Sequence, residues 1–183
     1  MATRDHLEPT VGAVLIGLGA NLPSSRGAPR ATCEAALEAL GEAGVKVVRR
    51  SRWYRSAPLP PSPQPQPWFV NGVAAVETAL DPVALLALLR EIERRFGRVR
   101  DKPGAARELD LDLLDYRGQV RPGEPPPELP HPRMHGRAFV LLPLAEVAPD
   151  WRHPRLGGSV EALIDALPPG QAVEPLPWPL DRG

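Results

Sequence analysis

The residues best able to do chemistry lie in one short run, Arg107-Glu-Leu-Asp110-Leu-Asp112-Leu-Leu. Asp110 and Asp112 alternate with Leu109, Leu111 and Leu113. That is the period of a strand with one apolar and one acidic face. Two carboxylates at i and i+2 on such a strand lie about 7 Å apart on one side. Their like charges repel and raise each other's pKa unless a cation lies between them. So sparse a pair suits Mg²⁺, singly or as two ions, completed by waters and substrate phosphates. The alternative is a solvated strand face, because Asp-x-Asp alone is common by chance.

A basic loop precedes the aspartates. Arg98, Arg100 and Arg107 surround the stretch Asp-Lys-Pro-Gly-Ala-Ala. Guanidinium forks match phosphate oxygens in two-point contacts and stay charged. Arginines beside a carboxylate metal site are what phosphoryl transfer requires. Arg90, Arg94 and Arg95 read as the solvated face of the preceding helix. Further on, the segment LPHPRMHGRAF holds His131 between Pro130 and Pro132 and ends with Arg137 and Phe139. A histidine held that rigidly reads either as a contact residue or as a hydrogen-bonded surface group. His135 and His153 are given no role. Gly17-Leu-Gly19-Ala-Asn21 reads as a turn without the GxGxxG or P-loop spacing. No GKS or GKT occurs, which argues against an ordinary P-loop kinase.

The elements that must hold these groups follow from periodicity. Val11–Leu18 is a dense apolar run of strand length, and GANLPSSRGAPR reads as a loop. A helix is expected over 30–43, a strand over 45–54, and another over 68–78. Asp81-Pro82 opens a second helix as N-cap and first helical residue. Its stripe is Leu85, Leu89, Ile92 and Phe96, and Gly97 ends it. A fourth strand covers 109–114, and helices are expected over 137–147 and 160–167. The order β-α-β-β-α-β, with C-terminal helices, predicts an α+β, ferredoxin-like antiparallel sheet with both helices on one face. The other face is then open. Asp110, Asp112, Phe69 and Asn71 should look toward it.

Composition limits the class. The chain has 183 residues with 22 basic and 22 acidic side chains, a formal net charge of zero. A single domain over 1–183 is expected, with a folded core at 10–167 and an extended Pro-rich tail at 168–183. Neutral charge argues against binding nucleic acid through bulk charge. One cysteine, Cys33, rules out an intrachain disulfide and a Cys-based zinc site. No apolar leader or membrane-length run is seen, so a cytoplasmic chain without a membrane partner is expected. Prolines number 25, of which six fall in 58–67 and four in 122–127. Fixed φ angles reduce what a long loop loses on ordering, so these read as stiffened, ordered loops.

Taken together, several motifs resemble the 6-hydroxymethyl-7,8-dihydropterin pyrophosphokinase family of folate biosynthesis, from about Val14 to Pro149. They are GLGANL, WYRSAPL with QPWFVN, LLALLREIERRFGRVR, RELDLDLL and LPHPRMHGRAFVLLPLAEVAP. The resemblance implies diphosphate transfer from ATP, the co-substrate, to the pterin hydroxymethyl group, with release of AMP. It implies that Asp110 and Asp112 hold two Mg²⁺ ions, with Arg98 and Arg107 completing the catalytic group. Glu93, Arg100, Arg107, His131 and Arg137 would contact ATP. Ser56, Leu59, Phe69, Asn71 and Phe139 would contact the pterin, the two phenylalanines stacking on its faces. Ala20, Ala57 and Arg90 stand where Ser, Pro and Gln are common in the family. The arginine loop is one residue shorter than usual and lacks a Trp. A monomer is expected. The competing reading is a non-catalytic ferredoxin-like module whose open face binds nucleic acid or protein. That would call for stacked aromatics on the face, and only Phe69 is evident.

Overall fold

A computed structural model describes residues 12–59, 65–97 and 106–177. The main strands of the sheet are β1 (Val14–Ala20), β3 (Tyr54–Ser56), β4 (Phe69–Glu77) and β5 (Asp110–Tyr116), the last at one edge. Two more, β2 (Lys46–Arg50) and β6 (Val173–Pro175), lie at its margin. The order is β5-β1-β4-β3-β6, with β2 also paired to β4. All pairings are antiparallel. The expected strand 45–54 is therefore two strands, separated at Ser51–Trp53. There the Ser51 hydroxyl accepts from the Val73 N–H at 3.1 Å and donates to the Arg52 carbonyl at 2.6 Å. Trp53 then folds over Gly72, where an added Cβ would lie 2.7 Å from the indole ring. Only glycine permits that approach.

Two helices, α1 (Pro29–Glu42) and α2 (Pro82–Arg95), cover the first sheet face. Pro82 starts α2, and the Asp81 carboxylate accepts from the Val83 and Ala84 N–H groups at 2.9 Å. This is the N-cap read from the sequence. Leu85, Leu89, Ile92 and Phe96 are buried against Ile16, Leu18, Ala74, Leu111 and Leu113. Gly97 follows with φ of +98°. Cys33 lies in the same core, and burial pushes its thiol up to about 12, so it stays protonated.

The second face is not fully open, which corrects the expectation. Helix α3 (Ala138–Val147) and α4 (Val160–Asp165) form a second core with Leu15, Val73, Ala75 and Leu114. The reason is that one half of that face is apolar and must be covered. The other half, around Gly19, Phe69, Asn71 and Asp110, is not part of that core. The sheet also continues past residue 167. Within the expected tail, Val173–Pro175 form β6 against β3, and Arg55 of β3 grips Glu174 at 2.7 Å. The architecture is α+β with a ferredoxin-like sheet. Among the described residues no helix is long and apolar enough to cross a membrane.

Candidate active site

The alternation in β5 does what its spacing predicts. Leu109, Leu111 and Leu113 are buried in the first core, while Asp110 and Asp112 are half-buried on the other side. Leu15 pairs with Asp115 and Ile16 with Leu113, which leaves Leu114 as an extra residue. This β-bulge turns both Leu114 and Asp115 toward the second face. The Leu114 carbonyl accepts the His131 N–H at 2.8 Å. The bulge thus hangs His131 beside Asp112, with Nε2 4.0 Å from Asp112 Oδ1. Asp115 itself is buried, accepting from Trp151 Nε1 and the Gly118 N–H, each at 2.7 Å. Burial pushes its carboxyl up, against those two hydrogen bonds.

Charge converges on this end of the sheet. Arg107 Nη1 donates to Asp110 Oδ2 at 2.8 Å. Burial holds the His131 imidazole down at about 4, helped by the charges of Arg137 and Arg133 and opposed by Asp110. It is therefore neutral near pH 7. His131 Nδ1 accepts the Arg133 N–H at 3.2 Å, so the ring proton belongs on Nε2. Arg137 is shifted down by burial and by Arg133, and drawn up by Asp112 and Asp110. Its guanidinium lies 5.5 Å from the Phe139 ring centroid, a cation–π contact. Arg137 is also framed from the C-terminal segment: Gln171 accepts from the Ala138 N–H at 2.9 Å and donates to the Gly136 carbonyl at 3.0 Å.

A polar slot adjoins the charged end. Gly19 of β1 pairs with Asp110 on one side and Asn71 on the other. Gly17 pairs in the same way with Asp112 and Val73. Directly paired residues share a face, so the missing side chain at Gly19 leaves a gap between carboxylate and amide, while the Leu114 side chain packs over Gly17. Gly17 and Gly19 were expected in a turn; they are strand residues, because β1 runs on to Ala20. Asn71, 5% exposed, donates to Ser56 Oγ at 2.8 Å. Phe69 pairs with Ser56 across the strands, and Leu59 is exposed at 38%.

Asn21 was not singled out from the sequence, yet it ties the surroundings together. It is 2% exposed. Its amide nitrogen donates to Gln66 Oε1 at 2.8 Å and to the Pro67 carbonyl at 3.0 Å. Its Oδ1 accepts the Arg107 N–H at 2.7 Å, and its own N–H donates to the Arg107 carbonyl at 3.0 Å. The end of the arginine loop and the end of the first proline-rich loop thus meet on one side chain. The usable signal was an amide side chain directly after an apolar run. Glu93 is equally buried, and its Oε1 accepts the Leu111 N–H at 2.8 Å, between the two aspartates. Arg98 and Arg100 lie outside the described residues.

The donor set also bears on a metal. Among the described residues no group of three or more His, Cys, Asp or Glu is placed to hold one unaided. Two carboxylates on one strand face, with room for water and phosphate oxygens, are instead the sparse set that Mg²⁺ accepts. Asp110 and Asp112 fit that requirement, and Asp110 already attracts a cationic group in Arg107.

Comparisons with known proteins bear on the family and the fold. A profile of the 7,8-dihydro-6-hydroxymethylpterin-pyrophosphokinase (HPPK) family matches residues 15–149. A 2-amino-4-hydroxy-6-hydroxymethyldihydropteridine pyrophosphokinase of Synechocystis is 43% identical over 157 residues, covering 85% of this chain and 76% of that protein. One of the same name from Pseudomonas aeruginosa is 43% identical over 165 residues, covering 90% and 96%. Among solved structures, a Plasmodium falciparum HPPK-DHPS is similar at TM-score 0.63 and 14% identity, over 84% of this chain. The chain spans 44% of that larger protein, and the likeness speaks for the fold. The matched span runs from β1 through the aspartates of β5 to the end of α3, which places this chain in the 7,8-dihydro-6-hydroxymethylpterin-pyrophosphokinase family.

Proposed function

We propose that this chain transfers diphosphate from ATP to the hydroxymethyl group of 6-hydroxymethyl-7,8-dihydropterin, in folate biosynthesis, and releases AMP. The pterin oxygen attacks the β-phosphorus. The bond from that phosphorus to the α,β-bridging oxygen breaks, and the bridging oxygen leaves with AMP. The hydroxyl proton passes to solvent.

The observation that carries this reading is the shared row of Asp110, Gly19 and Asn71. It puts carboxylates for a metal–phosphate complex beside a polar slot for a flat heterocycle. Asp110 and Asp112 would hold two Mg²⁺ ions, which when bound acidify the attacking hydroxyl and neutralise phosphate charge. Arg107 and Arg137 hold phosphate oxygens, with Arg98 and Arg100 as further partners. Neutral His131 donates Nε2–H to a nucleotide oxygen. Glu93 keeps the β5 backbone between the aspartates in place and borders the nucleotide. Asn71 reads the polar edge of the pterin, oriented by Ser56, and Leu59 closes the rim. Phe69 and Phe139 stack on the ring faces. Holding both substrates for in-line attack removes much of the entropic cost of a two-substrate reaction.

On this reading the chain is a single-domain cytoplasmic enzyme that acts as a monomer, without nucleic acid or membrane. A non-catalytic binding module is not favoured by the family relationship. The test is to supply Mg²⁺, ATP and the pterin and to identify the nucleotide formed. AMP with a pterin diphosphate supports the proposal. ADP would mean transfer of a single phosphoryl group, and absence of turnover would favour a binding module.

A further inference from the structure

The loop between His131 and Arg137 carries one more cation, Arg133, which no motif singled out. Its backbone is held firmly. Pro132 precedes it, and Met134, fully buried, follows it. The Arg133 N–H donates to His131 Nδ1 at 3.2 Å. Between two such anchors the residue itself is exposed. Its guanidinium forms no ion pair or hydrogen bond with another side chain among the described residues. Three other exposed or half-exposed arginines do hold carboxylates: Arg52 on Glu146, Arg55 on Glu174, Arg155 on Glu128.

The charge of Arg133 is felt inside the site. It acts on His131 and, more strongly than any other charge, on Arg137. Arg107 acts on Arg137 too. The like charges of Arg107, Arg133 and Arg137 oppose one another while Asp110 and Asp112 offset them, and that offset weakens once divalent cations engage the carboxylates. An anion with several charged oxygens restores it, and guanidinium forks are suited to such oxygens. We propose that Arg133 is a further phosphate-binding residue of this site, gripping the polyphosphate of the nucleotide together with Arg137. The inference rests on the nucleotide reading above and adds a residue to it.

The test uses calorimetric titration of the full chain in Mg²⁺ with α,β-methylene-ATP, ADP and AMP, comparing wild type, Arg133→Ala and Arg133→Lys. Arg133→Ala should bind the ATP analogue about tenfold more weakly and AMP as wild type does. Its affinity should also depend less on salt, and Arg133→Lys should recover part of the loss. If Arg133→Ala binds all three nucleotides like wild type, or weakens all three equally, the assignment is overturned. If wild type binds none of them, the nucleotide reading falls and takes this inference with it.

Discussion

Asp110 and Asn71 stand in register on either side of Gly19, on the same sheet face. At that row β1 presents only a glycine hydrogen to the face, and the Asn71 amide oxygen leans over it. Neighbouring strands are about 4.8 Å apart, so the two residues bracket a slot about 10 Å across at the backbone. Gly19 has no positive φ, so its role is the space it leaves.

Filling that space should therefore harm binding and not folding. An added Cβ at Gly19 would lie 3.2 Å from Asn71 Oδ1. Gly19→Ala should weaken pterin binding several-fold, and Gly19→Val should lower kcat/KM by about a hundredfold or more through bulk in the slot. Pterin titration and steady-state kinetics measure this, with far-UV circular dichroism unchanged. Wild-type kinetics for Gly19→Val would show that the slot is not the substrate site.

Asn21→Ala removes three side-chain hydrogen bonds, to Gln66, Pro67 and Arg107. It strands buried backbone groups, a loss of about 1–3 kcal/mol. For a chain of this size that lowers Tm by roughly 2–10 °C. Because both loops lose their common anchor, KM for ATP and for the pterin should rise together. Thermal melts and kinetics check this. A rise in one KM alone would mean that Asn21 does not join the two loops.

Stability should fall in mild acid. Burial, then the charges of His135 and Arg155, lower the pKa of His153 in the folded chain. Unfolded chains take up the proton near pH 6.5. The folded state refuses it until a lower pH, so stability is full above about 6.5 and is lost as pH falls below it. His153 Nδ1 accepts the Arg155 and Leu156 N–H groups at 3.2 Å, a task that an asparagine oxygen can take over. His153→Asn should therefore lose less Tm than wild type between pH 7.5 and 5.5. His131 contributes the same sign in both proteins and cancels. Equal losses would contradict the account.

Much of this site was legible in residue order. The alternation of leucine and aspartate over 109–113 gave the two faces of β5, and Asp81-Pro82 gave the start of α2. What was not legible depended on long-range registry. Gly17 and Gly19 read as a turn because local chemistry does not reveal that β4 and β5 pair on both sides of them. Asn21 was missed because its partners lie 45 and 86 residues away. The cover of α3 over half the second face was missed because a helix apolar on nearly every side, with Glu146 as its one charge, does not say which surface it will bury. The break at Ser51–Trp53 was hidden in a continuous β-rich run. Gln171 and β6 lay in a proline-rich stretch expected to be an extended tail.

The most direct test of the central claim is the turnover of Asp110→Asn and Asp112→Asn beside wild type, at saturating Mg²⁺, ATP and pterin. Each variant keeps the shape of the side chain and removes its charge. Without a carboxylate to hold the metal, several kcal/mol of transition-state stabilisation are lost. AMP formation should then fall by about a thousandfold or more. Tm should stay close to that of wild type, since both side chains are half-buried and belong to neither hydrophobic core. If both variants release AMP within tenfold of the wild-type rate, Asp110 and Asp112 do not hold the catalytic metal and the account is wrong.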